Sequence, residues 1–122
     1  MTPVEKSYLL YLEDMLNSMM KIKEYIKDLD FNEFKKNSLV SDAVIRNFEV
    51  LGESSKNIPI EVKAKYPDVP WNKMYGLRNL ISHAYFGIDY EILWEISKNH
   101  LPANLLDIEE IIKKEKEKGN EK

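Results

Sequence analysis

Apolar side chains recur at helical spacing through most of the chain. Tyr8, Leu12, Met15, Met19, Ile22 and Ile26 alternate four and three residues apart, which places them on one helical face. Leu9, Leu16 and Met20 widen that face, so the pattern predicts a long first helix from about Pro3 to Lys27. Pro3 suits a first turn, where its missing N–H costs nothing. Asp30 and Glu33 have capping-box spacing before a short turn through Phe34. A second long helix is expected from about Leu39 to Asn57, with Val40, Val44, Phe48 and Leu51 on one side. Gly52 lies inside it at a cost of about 1 kcal/mol relative to Ala, which a close helix approach would offset.

Proline and glycine punctuate the second half. Pro59 stops the second helix, Ile60 to Tyr66 makes one or two turns, and Pro67-Asp68-Val69-Pro70 is a rigid connector. Pro70 opens a third main helix expected to reach Phe86, with Gly87 as its C-cap. Its stripe is Trp71, Met74, Leu77, Ile81 and Tyr85. Asp89 is a good N-cap for a helix from Tyr90 to about Asn99, with Ile92, Leu93 and Ile96 inward. Pro102 opens the last helix, where Leu105, Ile108 and Ile112 repeat, and from Lys113 the charged chain is expected to fray. The fold class is therefore all-α: an antiparallel bundle of four to five main helices with short connections.

Composition narrows the chemistry. A chain of 122 residues is one domain by size, expected to span 1–118 with a charged tail at 119–122. The absence of Cys removes disulfides, thiolate zinc sites and cysteine nucleophiles together. No run is apolar enough for a membrane span and no signal pattern opens the chain, so a cytoplasmic protein without membrane contact is expected. A net charge of −3 argues against a general phosphate-coating DNA binder.

One segment departs from that balance. Between Asp68 and Asp89 there is no carboxylate, while Lys73, Arg78 and His83 all fall inside. Arg78 and His83 stand five residues apart, roughly 140° around a helix and roughly 7.5 Å along it, whereas Asn79 and His83 stack at i,i+4. A guanidinium binds phosphate through a fork and balances developing charge, and an imidazole moves a proton near neutral pH. Together they suit RNA cleavage without a metal, in which the 2′-hydroxyl attacks the adjacent phosphate. Only one histidine lies here, so acid and base roles are easier to fill if two chains face each other, which predicts a homodimer with a composite cleft.

On spacing alone, such a pair is more often a hydrogen-bonding pair than a catalytic one. Lys73 alone reads as a solvated cation, Tyr85 as a packing tyrosine, and His100 as a helix-end residue favoured by the dipole. Glu49 and Glu53 could imitate a carboxylate metal pair, but no Glu-x-x-His completes one, so no metal and no cofactor are expected. A non-catalytic binding module in which the Arg–His pair only holds a phosphate, and a plain dimeric scaffold, both stay open.

Arg78-Asn79-Leu80-Ile81-Ser82-His83 resembles the Arg-x4-His motif of HEPN domains, and its continuation to Tyr85 resembles the Arg-x4-His-x-Tyr form of the HepT-like toxins. The likeness extends to Ala43 through Lys56, to Tyr66-Pro67-Asp68-Val69-Pro70-Trp71, and to the flanks Gly76-Leu77 and Phe86-Gly87-Ile88-Asp89. It covers roughly Glu5 to Ile112; one departure is Ala84, where that group often has Gly. The resemblance implies a dimeric HEPN bundle acting as a metal-independent ribonuclease. It implies the toxin of a pair whose antitoxin is a small nucleotidyltransferase, one that adds AMP to the motif tyrosine. By position, Arg78 and His83 would be the catalytic pair, Asn79 and Lys73 supporting or phosphate-binding residues, and Tyr85 the AMP acceptor.

Overall fold

A computed structural model describes residues 3–82 and 87–120. These form seven helices: α1 (Pro3–Ile26), α2 (Phe31–Lys36), α3 (Ser38–Lys56), α4 (Ile60–Lys65), α5 (Trp71–Ser82), α6 (Tyr90–Asn99) and α7 (Leu101–Asn120). Five are long, α2 and α4 are short, and no strand occurs among the described residues, so the all-α expectation holds.

Local chemistry sets the boundaries. The Asp30 side chain accepts from the Glu33 amide at 2.8 Å and the Glu33 side chain accepts from the Asp30 amide at 3.0 Å, completing the expected capping box. Asn37 caps α3 through the Val40 amide at 3.2 Å, and Asp89 caps α6 through the Ile92 amide at 3.1 Å. Gly87 has φ 115°, a backbone conformation that side chains with a Cβ rarely adopt. The expected end of the third main helix, at Phe86, lies outside the described residues.

α3 packs between α1 and α5, and α1 between α3 and α7; α6 lies on α7. The α1 stripe is fully buried at Leu12, Met15, Met19 and Ile22, facing Val44, Phe48 and Leu51 of α3 and Ile108 of α7 in one core cluster. Three readings are corrected. Met20 is 51% exposed and Ile92 is 43% exposed, because each sits one position beyond the edge of its helix's buried arc. The tail beyond Lys113 does not fray there: α7 continues to Asn120, and Glu115 within it is only 1% exposed.

Glu115 is held by a polar cluster. Tyr8 Oη donates to its Oε1 at 2.8 Å and Tyr66 Oη to its Oε2 at 2.6 Å, while Lys65 Nζ donates to both oxygens at 3.2 and 3.3 Å. Burial pushes the carboxyl up, but the bonds from Tyr66, Tyr8 and Lys65 together outweigh it and hold the group below its ordinary value. Burial, then the bond to Glu115, raises the Tyr66 phenol. The cluster reaches the start of α5, because the Trp71 indole donates to the Tyr66 carbonyl at 3.0 Å. The charged end of α7 thus anchors α1 and the connector that launches α5.

Candidate functional site

α5 carries the segment singled out by its lack of acids. Met74 and Leu77 are buried, which turns Arg78 towards α3. There Gly52 makes the approach possible: a Cβ on it would stand 2.9 Å from the Arg78 Cβ and 3.1 Å from the Met74 carbonyl oxygen. The close approach expected for this glycine is therefore present, and its partner is the arginine itself.

The next residue completes the contact. Arg78 Nε lies 2.7 Å from Glu53 Oε2. Both side chains are partly solvated, at 39% and 50% exposure, so the ion pair contributes no more than about 1 kcal/mol to stability. Its effect is on geometry. A carboxylate at Nε restrains the guanidinium plane, while the terminal Nη edge is the one a phosphate would take in a fork.

Arg78 lines a cleft of about 370 Å³ with Asp14 of α1, Arg46, Glu49 and Glu53 of α3, and Asn57 just after α3. Acid-free along the chain, the arginine is thus surrounded in space by three carboxylates and one further guanidinium. Sequence reasoning weighed Glu49 and Glu53 only as metal ligands and passed over Arg46. The usable signal was Gly52, since a helical glycine marks where another helix comes close enough for its neighbour Glu53 to reach across. Among the described residues, no group of three or more His, Asp or Glu is placed to hold a metal ion.

The remaining site residues separate. Asn79 is exposed on α5 and does not line the cleft. Lys73 lines a different cavity, together with His100. His83 and Tyr85 lie outside the described residues. No described helix is long and apolar enough to cross a membrane.

Comparison with known proteins agrees with this architecture. The ribonuclease HepT-like family model matches residues 15–114, a span that holds the capping box, the Gly52–Glu53 step and all of α5. Two Methanocaldococcus jannaschii proteins named as RNase candidates are each 45% identical. One aligns over 109 residues, 89% of this chain and 90% of the relative; the other over 99 residues, 81% and 91%. A Thermococcus cleftensis protein named as a ribonuclease HepT candidate is 37% identical over 100 residues, 82% of this chain and 91% of its own. No solved structure matches the chain. A family model that spans most of the bundle, and relatives that align over nearly their whole length, lead to one assignment: this chain belongs to the ribonuclease HepT-like family, of the HEPN type.

Proposed function

We propose that this protein is a metal-independent endoribonuclease, the toxin of a two-component toxin–antitoxin pair, acting as a homodimer in the cytoplasm. The 2′-hydroxyl of the substrate attacks the adjacent phosphate, the 2′-O–P bond forms and the P–O5′ bond breaks. Arg78 balances the charge that develops on the phosphoryl oxygens. His83 transfers a proton, and His83 of a second copy fills the complementary role. The antitoxin is a small nucleotidyltransferase that moves AMP from ATP to the Tyr85 oxygen, releasing pyrophosphate. The added phosphate then competes with RNA for the nearby guanidinium.

The observation that carries this reading is the setting of Arg78: an arginine in an open cleft, restrained at Nε by Glu53. Preorganised cations are what phosphoryl chemistry needs when no covalent intermediate forms. The test is cleavage of RNA by purified protein in chelator. Wild type is expected to cut, and Arg78→Ala and His83→Ala are expected not to; cleavage that survives both substitutions would sink the reading. Separately, co-expression with a nucleotidyltransferase antitoxin should add AMP mass to wild type and not to Tyr85→Phe. Equal gain in both would mean another acceptor.

One observation favours a second reading. Asp14, Glu49 and Glu53 share the cleft with Arg78, which weakens its pull on a polyanion. A non-catalytic subunit that presents a nucleotide or substrate to its nucleotidyltransferase would tolerate this. A dimer that binds ATP or that partner and leaves every RNA intact would favour it.

A further inference from the structure

On the other flank of α5 a cavity of about 230 Å³ opens towards α6 and α7. Its floor is apolar, made by Pro70, Met74, Leu77 and Ile96, and its polar groups are Lys73, His100 and Asn104. A shallower hollow of about 500 Å³ adjoins it through the shared Pro70 and Lys73, and Lys63 lies on that far side. Neither space shares a lining residue with the Arg78 cleft.

The charge pattern here is the reverse of that around Arg78. No carboxylate lines either space among the described residues, although the chain carries 21 acids and a net charge of −3. Lys63, Lys73 and His100 make no ion pair among the described residues. Two lysines and an imidazole with N–H to donate, grouped around a hollow without carboxylates, favour an anion there. The apolar floor adds a second requirement, because a bare phosphate leaves Met74, Leu77 and Ile96 uncovered. The volume falls below the roughly 300–1,000 Å³ of pockets that enclose drug-sized ligands, so it suits a single ring system. A flat ring with a polar edge, joined to a phosphate, meets all of these conditions: the ring on the floor, its edge at the Asn104 amide, and the phosphate between Lys73 and His100.

We propose that this cavity receives one unstacked base of a single-stranded RNA, with Lys73 and His100 on its phosphate and Lys63 on a neighbouring one. The row of donors from His100 through Lys73 to Lys63 favours a strand over a free mononucleotide, since a mononucleotide would use only the first two. The proposal rests on the ribonuclease reading and adds how the strand is held away from the scissile phosphate. It moves Lys73 from support of Arg78 to an anchoring subsite on another face of α5.

The experiment uses a short single-stranded RNA with 2′-O-methyl groups, which binds but cannot be cleaved, with AMP and UMP as comparison ligands. Calorimetric titration should show at least tenfold weaker oligomer binding for Lys73→Ala/His100→Ala, at unchanged melting temperature because both side chains are exposed. Lys63→Ala should reduce the slope of log affinity against log salt by about 0.7, the value for one phosphate contact on a single strand. In cleavage of unmodified RNA, the double variant should raise KM by more than it lowers kcat. Oligomer binding unchanged in the double variant overturns the proposal, and mononucleotide binding as tight as the oligomer's overturns its strand form. The ribonuclease reading fails by a different result, absent wild-type cleavage or cleavage that survives Arg78→Ala, and the uncleavable oligomer reports on the cavity in either case.

Discussion

Arg78 Nε and Glu53 Oε2 meet at 2.7 Å across the contact between α5 and α3. Gly52, one residue before Glu53, lets the helices come that close. This pairing places a cation in a cleft otherwise dominated by acids, and it organises the predictions about the site.

Glu53→Gln should leave stability within about 1 kcal/mol of wild type, because the pair is half solvated. Its expected effect is on turnover. A guanidinium no longer restrained at Nε should lower kcat roughly 10- to 100-fold, with a smaller change in KM. Steady-state cleavage kinetics beside a thermal melt separates the two. An increase in RNA affinity without loss of kcat would instead make Glu53 a competitor of the phosphate.

Arg78→Lys keeps the charge and loses the fork. Cleavage should fall roughly 10²–10³-fold, close to the loss for Arg78→Ala, with the fold intact by circular dichroism. Activity near wild type would show that a point charge is sufficient.

Gly52→Ala removes a helix-interior glycine, which by propensity alone would add about 1 kcal/mol of stability. The new methyl would meet the Arg78 Cβ at 2.9 Å and the Arg78 backbone nitrogen at 3.2 Å, neither of which is the far end of a flexible side chain. Overpacking of about 1–3 kcal/mol should outweigh the gain. The melting temperature is expected to fall, and cleavage with it, since α5 must shift away from Glu53.

Glu115→Gln keeps the shape of the buried cluster but removes the charge that Lys65, Tyr8 and Tyr66 stabilise. Only the Glu115 end of the pair is buried and Lys65 is 39% exposed, so the loss should be smaller than the about 3–5 kcal/mol of a pair buried at both ends. The pH dependence has a definite sign. The folded-state value of Glu115 lies below the ordinary 4.5, so its contribution is fully present above 4.5 and is lost as pH falls through the folded value. Urea melts between neutral pH and pH 3 should show wild type losing its advantage over Glu115→Gln across that acid range. A constant gap would place the effect in packing.

Much of the fold was legible because helices are local. Caps such as Asp30 and Asp89 bond to amides three residues on, and buried stripes such as Leu12-Met15-Met19-Ile22 repeat about once per turn. Where local signals mislead, the cause is long-range. Glu115 sits in a run of charges that reads as solvent-facing, yet Lys65, Tyr66 and Tyr8 supply its partners from 49 to 107 residues away.

By itself the sequence determined the helical bundle, its caps and breaks, the Gly52 approach and the Arg78 segment, along with the family pattern around them. Tertiary structure alone decided the electrostatics of that segment. It brought Asp14, Glu49 and Glu53 to an arginine that has no acid near it in the chain, and it set Lys73 beside His100 instead of beside Arg78. The reason is physical: hydrogen bonding within a helix depends on neighbours three and four residues away, whereas a side chain's charge environment depends on which helices pack together.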